Sequence, residues 1–291
     1  MPFPSDIRAI DLMVNIPTDE HNEGGYSGFR PLLRDKESLD AFHMPAQYMF
    51  RNIPSLGSDS REYVGAIIAE MDKWGVETAL IPVNDAIRHP ETMTRYPGRF
   101  ITQTSINPSG GMEEIRRIRE LHREHGLRAL TYFPAASFPQ VPIDGKEMYP
   151  LYALCCDLDL PILINVGVPG PRVPMATQKV ELIDEVCWFF PELKLIMRHG
   201  AEPWVDLAVK LMLKYPNLYY APSAFAPKHY PKAIIDFANT RGSDKIMYAG
   251  YFPAGLSLER IFTELRAVPF KDEVWPKFLR GNAARVLGLP A

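Results

Sequence analysis

Leu193-Lys194-Leu195-Ile196-Met197-Arg198-His199-Gly200 is the stretch that decides the fold. It is a short, mostly apolar run that breaks at a glycine, the pattern of a strand buried on both faces. A helical pattern precedes it at 180–190, and another follows at 203–215. Upstream of the first helix lies a second run of the same kind, Pro161-Ile162-Leu163-Ile164-Asn165-Val166. Strand, helix, strand and helix at this spacing make parallel βαβ units.

The alternation continues in both directions. Strands are predicted at 7–14, 76–83, 100–106, 127–133, 161–166, 193–199, 218–222 and 245–249. Helices are predicted at 60–74, 113–125, 149–158, 180–190, 203–215, 233–240 and 256–265, with a helical tail at 274–287. In the first helix Val64, Ile67, Ile68, Met71 and Trp74 recur three and four apart, and Gly75 supplies the cap. Eight such alternations predict a (β/α)8 TIM barrel, and 291 residues suit a single barrel domain with additions. A doubly wound sheet is the alternative. It is disfavoured because no Gly-x-Gly-x-x-Gly follows the first strand.

Composition narrows the function. The chain is 46% hydrophobic, enough for a large core, and its net charge is -3. No basic field favours nucleic acid or anionic lipid. The basic cluster Arg116, Arg117, Arg119 and Arg123 alternates with Glu113, Glu114, Glu120 and Glu124, as on a solvated helix face. No apolar run approaches the ~20 residues of a membrane span, and no leader pattern opens the chain. The three cysteines, Cys155, Cys156 and Cys187, have no zinc-type spacing and read as small apolar residues of a reducing compartment. The expected setting is the cytoplasm and the expected partner a small molecule. No Gly-x-Ser-x-Gly elbow or phosphate loop is present.

One segment breaks the rhythm. Residues 16–59 form a single connection between the first strand and the first helix, longer than compact domains normally carry. The segment holds His21, His43, Arg30, Arg34, Arg51, Tyr26, Tyr48 and Phe50, and it leaves the C-terminal end of a strand, the catalytic face of a barrel. It reads as a lid or as a contact in a homo-oligomer.

Five stretches carry a family resemblance: Asp11-Leu12-Met13-Val14-Asn15, Asn165-Val166-Gly167, His199-Gly200, Gly250-Tyr251-Phe252-Pro253 and Gly281-Asn282-Ala283. Their order and flanks resemble the amidohydrolase superfamily, in the branch of aminocarboxymuconate-semialdehyde and resorcylate decarboxylases. The resemblance implies a barrel whose metal is held by Asp-x-His-x-His, a fifth-strand His, a sixth-strand His and an eighth-strand Asp. Here those positions carry Met13 and Asn15, Asn165, His199 and Tyr251. Only the sixth-strand histidine is kept. The terminal Gly-Asn-Ala is expected to pack under the eighth strand.

The substitutions bear on chemistry. Zinc takes His, Cys or carboxylate ligands, and neutral amides or a thioether serve poorly. No metal and no other cofactor is therefore expected. His199 is the natural acid or base. Asp11 would orient it, or would hydrogen-bond the barrel floor. Tyr251 would hydrogen-bond an oxyanion, or would act as an aromatic plug. Asn15, Asn165, His43 and Arg172 are the substrate-binding candidates, Arg172 because a stiff proline-rich loop presents it. Strand alternation puts Asp11, Met13 and Asn15 on one inward face, with Leu163, Asn165, Met197, His199, Ala249 and Tyr251, and it turns Arg198 away. The resemblance implies hydrolysis or C–C cleavage of a carboxylated or carbonyl-bearing substrate, aromatic or thioester. A metal enzyme with an altered ligand set (His199, Asp11, His43, Glu202) and a non-catalytic binding barrel are the alternatives.

Overall fold

The structure, a computed structural model, describes residues 3–4, 6, 8–17, 27–42, 44, 46–56 and 62–290. The substrate-binding candidate His43 lies outside the described residues, as does His21.

Seven parallel strands pair in chain order: β1 (Ala9–Asp11), β2 (Val76–Pro82), β3 (Phe100–Ser105), β4 (Ala129–Tyr132), β5 (Ile162–Asn165), β6 (Leu195–Arg198) and β7 (Leu218–Ala221). Sequential neighbours all parallel, with helices between them, are the TIM-barrel topology. The predicted eighth strand is a segment without a continuous ladder. It bonds to β7 through Tyr220 N–H to Lys245 O at 2.9 Å and Met247 N–H to Tyr220 O at 2.9 Å. It reaches the first strand through Leu12 N–H to Tyr248 O at 3.4 Å and a Val14–Phe252 bridge. The ring closes, but irregularly. The cause is local: the Asp11 side chain accepts the Gly250 N–H at 2.8 Å, which takes that amide from the ladder. The same carboxylate accepts the Met13 N–H at 2.9 Å, so the first strand is shorter than predicted.

Two apolar clusters define the layers. A small one joins Ile10, Leu12, Leu80, Leu163, Ile196, Tyr219, Met247 and Ala249 inside the barrel with Ala283, Ala284, Val286 and Leu287 of the terminal helix, which plugs the floor. Asn282 fixes that plug by donating to Ser243 O and Ile246 O, both at 2.8 Å, where the eighth segment begins. The large cluster fills the space between strands and helices, with Ala79, Ile81, Ile164, Leu195, Met197 and Tyr248 facing Ile67, Met71, Ile183 and Leu211. The helices follow their patterns. In Tyr63–Trp74 the buried residues include Val64, Ile67, Ile68 and Met71, and Gly75 ends the helix at φ 73. A glycine takes that left-handed conformation without strain. Cys155 and Cys187 are buried in the large cluster. No helix among the described residues is long and apolar enough to cross a membrane.

The long connection after the first strand is partly described. It contains a 3-10 turn (Ser27–Leu32), a short helix (Lys36–Asp40) and a second 3-10 turn (Gln47–Met49). Asp35 caps the helix by accepting the Ser38 N–H at 3.0 Å. The segment leans on the loops at the C-terminal end of the barrel. The Phe50 ring lies 5.2 Å from Tyr251, and the Tyr48 hydroxyl donates to Gly170 O at 2.6 Å.

Candidate active site

The layers settle which residues face the barrel axis. On β6 the inward residue is Ile196, and Met197 packs outward against the helices. By alternation Arg198 therefore turns inward, the reverse of the sequence expectation. The run 193–197 is apolar on both faces, so its parity was not readable from hydrophobicity. On β5 Leu163 faces inward, and Asn165 follows it with the same parity.

A polar mouth results. Gln103 and Ser105 of β3, Thr131 of β4, Asn165 of β5, Arg198 and His199 of β6, Asn15 after β1 and Tyr251 of the eighth segment all line one cleft of about 1730 Å³. The cleft continues outward past Arg88 and His89 to Glu113 and Arg117. Ser105, Thr131 and Gln103 hydrogen-bond in sequence, at 3.1 and 2.9 Å. Of the candidates, Asn15, Asn165, His199 and Tyr251 thus open on the same space.

Two neighbouring residues of the mouth are held by defined contacts. Arg198 donates from Nε to the Asn165 carboxamide oxygen at 2.7 Å. His199 sits just past β6 with φ 76, and Ala201 follows at φ 57. Non-glycine residues held in this region cost about 1–3 kcal/mol and concentrate at functional sites. The turn brings the ring against Ser223, whose hydroxyl lies 3.0 Å and carbonyl oxygen 3.3 Å from Nδ1. The carbonyl oxygen only accepts and the hydroxyl can donate or accept, so Ser223 engages Nδ1 in either tautomer. Burial, and secondarily the Arg198 charge, hold the imidazole down to about 3. At neutral pH His199 is an uncharged base.

Asp11 lies elsewhere. Its side chain turns behind the strand, next to Tyr248 and near Ile261 of the Leu258–Leu265 helix, and it is fully buried. It neither lines the cleft nor contacts His199; its carboxylate is spent on Met13 and Gly250. The strand breaks after Asp11, so the alternation that would align it with Met13 and Asn15 does not hold. Burial pushes its carboxyl up to about 6 against the two backbone donors. Arg172 is also not at the mouth. It is paired with Asp35 at 2.7 Å and Glu37 at 2.8 Å and stacks over Tyr48 at 4.5 Å, pinning the long connection to the loop after β5.

Sequence reasoning passed over Asp85. It follows β2 on the same face, lines the cleft, accepts the Ile16 N–H at 2.8 Å and pairs with Arg88. Its position just past a barrel strand was the available signal. Ser223 had none, because only the fold brings it to His199.

A model of the family described as Amidohydrolase matches residues 45–289. The chain belongs to the amidohydrolase family. It is an enzyme on that ground, a hydrolase or a lyase. Among solved structures, the fold is shared with an uncharacterised TIM-barrel protein from Bordetella bronchiseptica at 23% identity and TM-score 0.75, covering 97% of this chain and 99% of that one. A 5-carboxyvanillate decarboxylase from Novosphingobium aromaticivorans with bound manganese matches at 18% identity and TM-score 0.68, over 98% and 97% of the two chains. A 2,6-dihydroxybenzoate decarboxylase from Rhizobium matches at 15% and 0.64, over 97% and 98%. No curated protein matches.

The amidohydrolase resemblance implies a metal, and among the described residues those at its positions do not fit one. Met13, Asn15, Asn165 and Tyr251 are neutral, and His199 is a lone imidazole whose Nδ1 is engaged by Ser223. No group of three or more His, Cys, Asp or Glu among the described residues is placed to hold an ion. The oxygen of Asn165 already serves a guanidinium. A cation seated there repels a second one.

Proposed function

We propose that this amidohydrolase works without a metal ion, on a small carboxylated or carbonyl-bearing substrate, by water-assisted cleavage next to a carbonyl. The observation that carries this reading is the neutral His199 imidazole, Nδ1 anchored on Ser223, in a cleft lined also by Asn15, Asn165, Arg198, Tyr251 and the Asp85–Arg88 pair. His199 Nε2 takes a proton from water, and the hydroxide adds to the carbonyl carbon. The Tyr251 phenol and the Asn15 amide donate to the oxygen that becomes negative. The tetrahedral adduct then collapses. The bond to the leaving oxygen, sulfur or carbon breaks, and the leaving group recovers the proton from the imidazolium. An ester, a thioester or a β-dicarbonyl compound satisfies the same scheme.

Aromatic acids are the first substrates to try, because two of the proteins sharing this fold are decarboxylases of hydroxylated benzoates. The connection over the mouth, with Phe50 against Tyr251, serves as a lid that keeps bulk water out.

The test is a turnover screen of hydroxybenzoates, their esters and thioesters, and aryl β-diketones, run in the presence of EDTA with products read by NMR. The expected result is product from one class at an unchanged rate when EDTA is present. Turnover that needs added manganese or zinc would overturn the metal-free reading. Binding without turnover would leave a ligand-binding barrel.

A further inference from the structure

The wall facing His199 carries polar groups that the proposed reaction does not use. Strands pair in chain order, so β3 stands three strands from β6, across the mouth of the same cleft. We propose that Gln103 of β3 is a specificity-determining residue: its side-chain amide donates to a hydroxyl oxygen on the part of the substrate remote from the reacting carbonyl, and Ser105 accepts that hydroxyl's hydrogen. The inference rests on the reading of the cleft as a substrate site and goes beyond it by naming a second group that the site recognises.

Strand alternation sets the positions. Ile101 packs on the inner cluster, so Gln103 and Ser105, with the same parity, face the cleft. On β4 Ala129 is inward, and Thr131 follows it with the same parity. Register puts Ser105 directly beside Thr131. Counting hydrogens then gives the polarity. The Gln103 carbonyl oxygen can only accept, so Thr131 gives it its single hydroxyl hydrogen, at 2.9 Å. In its 3.1 Å contact with Ser105, Thr131 must therefore accept, and Ser105 donates. Gln103 Nε2 keeps both hydrogens, with no acceptor among the described residues. Ser105 Oγ keeps its lone pairs. A donor beside an acceptor matches a hydroxyl, which accepts through its oxygen and donates through its hydrogen. It matches a ring amino group poorly, because such an amine donates only and meets the Gln103 N–H head-on.

The pair is presented on a clamped strand end. Thr131 is buried. Behind β3, Arg117 of the Gly111–His125 helix donates to Thr104 Oγ1 at 3.1 Å and to Ser105 O at 2.8 Å. Glu114 holds Arg117 and accepts the Asn107 N–H at 2.9 Å. The inner side chains therefore meet a ligand with little reordering, which preserves affinity.

The probes are the 3- and 4-hydroxybenzoates and the 3- and 4-aminobenzoates, titrated into the full chain at neutral pH by calorimetry. All four carry one carboxylate, and their ring substituents are uncharged and similar in size. Wild type is expected to bind the hydroxy acid about three- to tenfold more tightly than its amino counterpart at one of the two ring positions, the usual worth of one neutral hydrogen bond. Gln103→Leu should remove that preference. Gln103→Glu keeps an acceptor for Thr131 but puts an acceptor where the free donor was. It should turn the preference toward the aminobenzoate, even as the added charge lowers both affinities. A structural role for Gln103 would lower both affinities without reversing their ratio. Thr131→Val frees the amide to rotate and should blunt the preference. Thermal melts check folding, and Gln103→Glu and Thr131→Val keep the test alive if Gln103→Leu unfolds.

Equal or reversed affinities at both ring positions in wild type overturn the proposal, and so does a hydroxyl preference unchanged in Gln103→Leu and Gln103→Glu. Either result leaves the cleft a substrate site. If no probe binds, the proposal fails. A turnover screen that is also blank would take the site reading with it, whereas turnover of any compound in that screen would keep that reading.

Discussion

Replacing His199 by alanine is expected to lower turnover about 10²–10⁴-fold, the range for loss of a general base. The ring opens on the cleft with Nδ1 engaged by Ser223, which leaves Nε2 for chemistry. The fold should survive. His199 follows the last residue of β6 and lies outside the apolar clusters, so its loss costs little packing, and alanine at φ 76 adds only local backbone strain. The loss should fall on kcat more than on KM, because the proton transfer belongs to the transition state. Steady-state kinetics on any substrate from the screen, with circular dichroism for the fold, measures this. Unchanged kcat in a folded variant would remove His199 from the mechanism.

Asp11→Ala should destabilise the protein by about 2–4 kcal/mol, with no direct effect on the chemistry. One carboxylate oxygen accepts two backbone amides, Met13 at 2.9 Å and Gly250 at 2.8 Å. Alanine leaves the buried Gly250 amide and the part-buried Met13 amide without their acceptor, at about 1–3 kcal/mol each. Relief from burying a charge returns part of that. Asp11→Asn keeps an acceptor for both amides and should cost far less.

The pH dependence separates the two residues. Asp11 is pushed up to about 6, so the folded state holds its proton in a range where the unfolded chain, near 3.8, has lost it. Its contribution to stability therefore falls as pH rises from 3.8 to about 6. His199 is held down to about 3, while the unfolded chain protonates near 6.5. Its contribution rises with pH across that window. The two slopes oppose each other. Asp11→Asn should thus show a steeper gain in stability between pH 4 and 6 than wild type. Urea unfolding at several pH values reads both effects, and identical wild-type and Asp11→Asn profiles would refute the Asp11 assignment.

The barrel was legible because its evidence is repetitive. Eight apolar runs separated by amphipathic helices leave little choice of topology, and a shifted boundary such as 7–14 against Ala9–Asp11 does not alter it. The site was legible only in part. Asn165 was placed correctly, since its strand parity is continuous. Asp11 was misplaced because its own side chain ends the strand, something no periodicity reports. Arg198 was misplaced because β6 is apolar on both faces, so its parity had to be guessed from the histidine beside it. That histidine does not follow parity; a left-handed turn carries it to the cleft. Arg172 looked like a ligand clamp until the fold brought Asp35 and Glu37 against it. Contacts between residues so far apart in sequence leave no local signature.

In the proposed mechanism the His199 imidazole works without a metal ion. Elemental analysis of protein purified without chelators tests it most directly. The expected result is transition-metal content well below one equivalent per chain, and activity that is unchanged after dialysis against EDTA. Close to one equivalent of manganese, zinc or iron, lost together with activity on chelation and absent from the His199→Ala protein, would contradict it.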